Sequence, residues 1–333
     1  MANEPIAPAI DSWQESMKRA IRTPNELLQT LHINPSELDW SHVGQSEFPL
    51  FAPLEFVARM ERGNPRDPLF LQVWPAREES QTADHFRADP VGDLAVEKAP
   101  GLLHKYQGRV LMIASGACAI HCRYCFRRHY PYETAPKSMQ HWEESFLAIE
   151  RDSSIREVIL SGGDPLSLVD ATLTRWIDRI EAIPHVHRLR LHTRLPVVIP
   201  SRVTTGLVER LARSRLAHWV VLHINHANEI DDAVAAAIAR LRNAGSTVLN
   251  QAVLLRGVND DPDSLTKLFE RLIDLRVGPY YLHQLDRVQG AAHWEVPETV
   301  GRELLQEVRK RLPGYAVPLY VREIAGEENK TPL

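Results

Sequence analysis

From residue 109 onward, short apolar runs alternate with longer amphipathic stretches. The runs start near 109 (Val-Leu-Met-Ile-Ala), 157, 187, 218, 247 and 278 (Gly-Pro-Tyr-Tyr-Leu), and their β-branched and aromatic residues favour strands. Between them, residues 169–183, 231–243, 262–275 and 297–312 carry helical spacing, with Gly245 where the residue after a helix end is expected. Most start-to-start intervals are about thirty residues, the length of a βα unit. Six such units predict an α/β fold, a parallel sheet curled into a partial (β/α)6-type TIM barrel. A doubly wound open sheet is the alternative, and both put active residues at the C-terminal ends of strands.

The first hundred residues have another texture. Trp13, Met17, Ile21, Leu27 and Leu28 predict amphipathic helix over 11–30, with Pro24 as a boundary. Connections rich in Pro, Arg and Asp follow at 64–68 and 89–93. The expected division is a mostly helical N-terminal extension packing on the barrel (1–105), the barrel core (106–325) and a C-terminal segment (326–333).

A chain of 333 residues can bury a core without a disulfide or zinc staple. Its formal charge of −4 argues against a general nucleic-acid binder. The first residues lack the basic and apolar stretches of a secretory signal, and uncharged runs such as 110–122 are too short for a bilayer. A cytoplasmic protein with no nucleic-acid or membrane partner is expected. Two counts stand out: three cysteines, Cys118, Cys122 and Cys125, and seven lysines against thirty-two arginines.

The cysteines form C-x3-C-x2-C directly after the first barrel strand. Three thiolates suit a 4Fe-4S cluster, leaving one iron open to a ligand. Zinc completed by His121 or His129 is the alternative. This loop, with Ser161-Gly162-Gly163-Asp164-Pro165 ending the second strand, resembles the radical S-adenosylmethionine (SAM) superfamily. Cys125-Phe-Arg-Arg-His, Asn250-Gln-Ala-Val-Leu-Leu-Arg-Gly-Val-Asn-Asp260, Tyr280-Tyr-Leu-His-Gln-Leu-Asp286 and Lys330-Thr-Pro narrow the likeness. They are similar to the lysine 2,3-aminomutase family, from about residue 50 to the end.

The resemblance implies an isomerase that converts L-α-lysine to β-lysine by a 1,2-amino shift, using a 4Fe-4S cluster, SAM and pyridoxal 5′-phosphate (PLP). It implies Cys118, Cys122 and Cys125 on the cluster, and Tyr124, Ser161, Gly162, Gly163, Asp164, His223 and Gln251 around SAM. Lys330 would form the PLP Schiff base, and Lys105, Tyr106 and Arg109 would hold the PLP phosphate. Arg127 would clamp the substrate carboxylate, and Asp286 and Glu323 would take the ε-ammonium. Two departures are visible: Gly-Glu-Glu-Asn precedes Lys330 where the family carries a glycine run, and Glu323 stands where Asp is usual.

The chain lacks the longer family members' cysteine-bearing tail and resembles the short bacterial form, which makes (R)-β-lysine for modification of elongation factor P. The implied partners are free L-lysine, an external one-electron reductant and, through the pathway, elongation factor P and its β-lysine ligase; a homodimer is compatible. An aminomutase for another amino acid, a PLP-independent radical SAM enzyme and a metal-binding module stay open as alternatives.

Overall fold

The structure, a computed structural model, describes residues 12–38, 48–136 and 138–333. The extreme N-terminus, the first residue of the expected 11–30 helix and Lys137 lie outside these residues. Within 12–38 the expected helical stretch divides at the expected Pro24 boundary into two helices, Trp13–Lys18 and Pro24–Leu31. Ser12 and Thr23 cap them, their side chains accepting from the backbone N–H of Glu15 and Glu26. Pro24 fits only the first turn, so it begins a new helix where amphipathic spacing alone would have continued the old one.

Ten strands among the described residues form one sheet in chain order: Glu97–Ala99 (β1), Leu102–Tyr106 (β2), Arg109–Ser115 (β3), Glu157–Gly162 (β4), Arg188–Thr193 (β5), Ala217–His223 (β6), Thr247–Val253 (β7), Gly278–His283 (β8), Leu319–Arg322 (β9) and Thr331–Pro332 (β10). Strands β3 to β9 are parallel, while β1, β2 and β10 add antiparallel edges. The six expected strands lie where the apolar runs begin. The sheet stays open, as a partial barrel does, and carries a seventh parallel strand, β9, beyond the six expected. Strand β9 lies within the apolar run 317–324, outside the thirty-residue βα rhythm. The sheet also begins before the expected 105/106 boundary, which falls inside β2.

The helices Asp170–Glu181, Asp232–Asn243, Pro262–Asp274 and Glu298–Arg311 follow their strands and bury one face each. Gly245, at φ +88°, takes the left-handed conformation expected after its helix. Val158, Leu160, Leu189, Leu191, Val220 and Leu222 join the N-terminal residues Trp13, Ile21, Leu27 and Phe56 in a single hydrophobic core. The extension is thus part of the barrel's packing. The other face of the sheet holds polar residues, because strand side chains alternate with a period of two.

Candidate active site

That polar face lines one cavity of about 780 Å³, and every site residue implied by the family resemblance borders it, while His129 does not. The parallel register does part of the assembly, pairing His223 of β6 with Gln251 of β7. Residues two apart, such as Arg190 and His192 on β5 or Tyr281 and His283 on β8, face the same space.

The cysteine loop is bolted to the N-terminal extension. Glu79 accepts from Arg123 Nη2 at 2.5 Å and from Arg128 Nη2 at 2.7 Å, with the three side chains almost wholly buried. Arg123 N–H donates to the Gln72 carbonyl at 2.9 Å, and His121 N–H to the Phe51 carbonyl at 3.0 Å. His121 Nδ1 lies 2.8 Å from Pro49 O and its ring stacks on Phe48, while His129 Nε2 lies 3.1 Å from Gln289 O. Both histidines weighed as zinc ligands therefore have other partners. Among the described residues, no three His, Cys, Asp or Glu side chains converge as ligands of a single ion. A cube of four irons asks for something different, one thiolate on each of three corners. Burial and the mutual repulsion of would-be thiolates push the Cys118 thiol up and Cys125 up to about 11. A positively charged inorganic core is what such crowded thiols lack, and the donor set fits one.

Glycine is required at Gly162 and Gly163 by the neighbouring loop. Gly162 sits at φ +115°, and a Cβ there would lie 2.6 Å from the Ser115 carbonyl oxygen. A Cβ on Gly163 would lie 2.5 Å from the Ala117 carbonyl oxygen. Asp164 borders the cavity but turns its carboxylate to the end of β5, accepting from Thr193 Oγ1 at 2.7 Å and from the backbone N–H groups of Leu166, Arg194 and Leu195. This segment docks the cysteine loop and β5 against β4 before any ligand arrives.

At the opposite side, Glu323 gathers cations. Its carboxylate accepts from Lys330 Nζ, from Lys105 Nζ at 2.9 Å and from Tyr106 Oη at 2.5 Å. Burial raises its pKa, but Lys330 and Lys105 outweigh that and hold it down at about 2. Asp286 has no such direct partner among the described residues, and burial lifts it to about 7 although Lys330 pulls the other way. The Arg109 guanidinium lies over the Tyr106 ring, 4.6 Å from its centroid. Arg127 donates to Asp93 Oδ2 at 2.8 Å and to Ser161 Oγ at 3.2 Å.

Three residues of this site escaped the sequence reading. Arg194, just past β5, is buried and donates to Tyr124 Oη at 2.9 Å, Gln72 Oε1 at 2.7 Å and Glu229 Oε2 at 2.9 Å. Tyr124 Oη also lies 2.9 Å from His223 Nε2, and burial with Arg194 nearby pushes His223 down to about 3. A charged residue directly before the apolar string Leu195–Val198 was the available signal for Arg194. His192 and His283 border the cavity with buried Nε2 atoms that have no partner among the described residues. Such orphaned ring nitrogens fit a bound ligand with polar groups.

A family model described as the radical SAM superfamily matches residues 112–269. Proteins named L-lysine 2,3-aminomutase are similar to nearly the whole chain. The one from Escherichia coli (strain K12) is 45% identical over 327 residues, spanning 98% of this chain and 95% of its own. That from Haemophilus influenzae is 43% identical, spanning 99% and 98%, and that from Buchnera aphidicola subsp. Baizongia pistaciae is 39% identical, spanning 96% and 94%.

Proposed function

Because this chain belongs to the L-lysine 2,3-aminomutase family of radical SAM enzymes, we propose that it converts L-α-lysine to β-lysine, with the (R) product destined for modification of elongation factor P. It is an isomerase, and its cofactors are a 4Fe-4S cluster, SAM and PLP. When bound, these groups supply a carbon-centred radical for hydrogen abstraction and an aldehyde that carries the migrating nitrogen.

Cys118, Cys122 and Cys125 would hold the cluster, beside Tyr124, Ser161, Gly162, Gly163, His223 and Gln251 for SAM. Lys330 would hold the PLP aldehyde and Lys105, Tyr106 and Arg109 its phosphate. Arg127 offers a planar guanidinium for a carboxylate, already held in place by Asp93 and Ser161. The observation that carries the choice of lysine is the acidic pair beside Lys330. Glu323 binds the Lys330 amine, and Asp286, ionising near 7, feels the same charge. With Lys330 engaged by the PLP aldehyde, Lys105 would be one cation against two buried carboxylates, a costly imbalance that a substrate ε-ammonium would correct. A substrate bound between Arg127 and the acidic pair would be held in one orientation, which limits the side reactions of a radical.

Anaerobic incubation with lysine, PLP, SAM and a reductant, followed by chiral analysis, tests the reading. β-Lysine is the expected product. Turnover of glutamate with no turnover of lysine would overturn it.

A further inference from the structure

Arg194 Nη1 lies 2.7 Å from Cys122 Sγ. The two terminal nitrogens of the guanidinium are held, while its Nε has no partner among the described residues. Glu229, Gln72 and Tyr124 take its other hydrogen bonds, and the face of the Phe56 ring lies 5.3 Å from its carbon. Glu229 is itself wholly buried and accepts from the Asn225 backbone N–H at 2.9 Å. Arg194 and Glu229 therefore form a buried ion pair, with the cation turned toward the sulfur; the buried Arg59 side chain donates to the Glu229 backbone carbonyl.

We propose that the Arg194–Glu229 pair sets the reduction potential of the cluster held by Cys122, with Arg194 as an electrostatic positioning residue. The inference rests on the cluster reading above. Reduction by an external one-electron donor adds one negative charge to the cluster, and no bond to Arg194 forms or breaks. A cation hydrogen-bonded to a ligand sulfur stabilises that added charge, so it raises the potential. Glu229 partly cancels the cation and lowers it. Because both side chains are buried, water and salt screen their charges much less than at the surface. Gln72 and Phe56 come from the N-terminal extension, so the extension helps determine how easily the radical chemistry starts.

Two variants give shifts of opposite sign, which a merely structural pair would not. Arg194→Met fills the space without charge and is expected to lower the reduced-to-oxidised ratio at a fixed solution potential at least tenfold, which for one electron is about 59 mV. Glu229→Gln keeps shape and leaves Arg194 less compensated, so the potential rises. The readout is an electron paramagnetic resonance titration of the reconstituted protein, with iron and sulfide quantified in parallel. Unmoved potentials, or shifts of the same sign, overturn the inference while leaving the cluster reading intact. If Arg194→Met fails to assemble a cluster, the Glu229→Gln potential decides alone, and a fall or no change overturns the proposal. Wild-type protein that binds no iron–sulfur cluster overturns both.

Discussion

Lys330 donates to Glu323 across a turn of seven residues, joining the C-terminal segment to the end of β9 over the cavity. The pair links the amine expected to react with a carbonyl to the carboxylate expected to bind a substrate amine. Lys330→Ala is expected to abolish both PLP absorbance and turnover while the fold persists, because β10 still pairs with β9. Full activity in that variant would remove PLP from this lysine.

Glu323→Gln removes the anion but keeps the hydrogen-bonding shape. Losing one partner of a buried charge pair costs at least about 2 kcal/mol, so KM for lysine should rise about 30-fold or more. Affinity for an analogue lacking the ε-amine should change much less. Steady-state kinetics with both compounds checks this.

Asp286 sets a pH dependence. Its ionised form is the one that attracts an ammonium, and burial holds its pKa near 7. Lysine should therefore bind more tightly as pH climbs from about 6 to about 8, and Asp286→Asn should flatten that slope. For folding the sign is opposite. A carboxylate with a raised folded pKa destabilises the protein progressively from the ordinary carboxylate range up to about 7. Titration calorimetry across pH reports the first effect and denaturant melts the second.

Glu79→Ala leaves Arg123 and Arg128 buried without their shared carboxylate. A loss of about 3–5 kcal/mol is expected, measured by denaturation. The cysteine loop should loosen with it, lowering the iron bound after reconstitution.

Gly163→Ala presses a methyl group against the Ala117 carbonyl, 2.5 Å away. Overpacking of this kind costs about 1–3 kcal/mol. Displacement of the loop should reduce iron content before it reduces melting temperature much. Unchanged iron stoichiometry would assign the Gly-Gly pair a role outside loop docking.

The sequence by itself determined the features that are local. The βα rhythm predicted six parallel strands, the helices between them and the turn at Gly245, because strand and helix periodicities are written in neighbouring residues. Cysteine spacing and scarce lysine marked residues that the fold brings to one cavity, since strand ends converge wherever parallel strands curl. Only the tertiary structure decided the rest. Strand β9 has strand-favouring Tyr320 and Val321, but only its pairing with β8 shows that it extends the parallel sheet. Gln72, Tyr124, Arg194, Asn225 and Glu229 come from separate segments and meet as one buried polar network beside Cys122. Nothing along the chain marks them as partners. Burial is what makes their charges matter, by removing the water that would otherwise screen them.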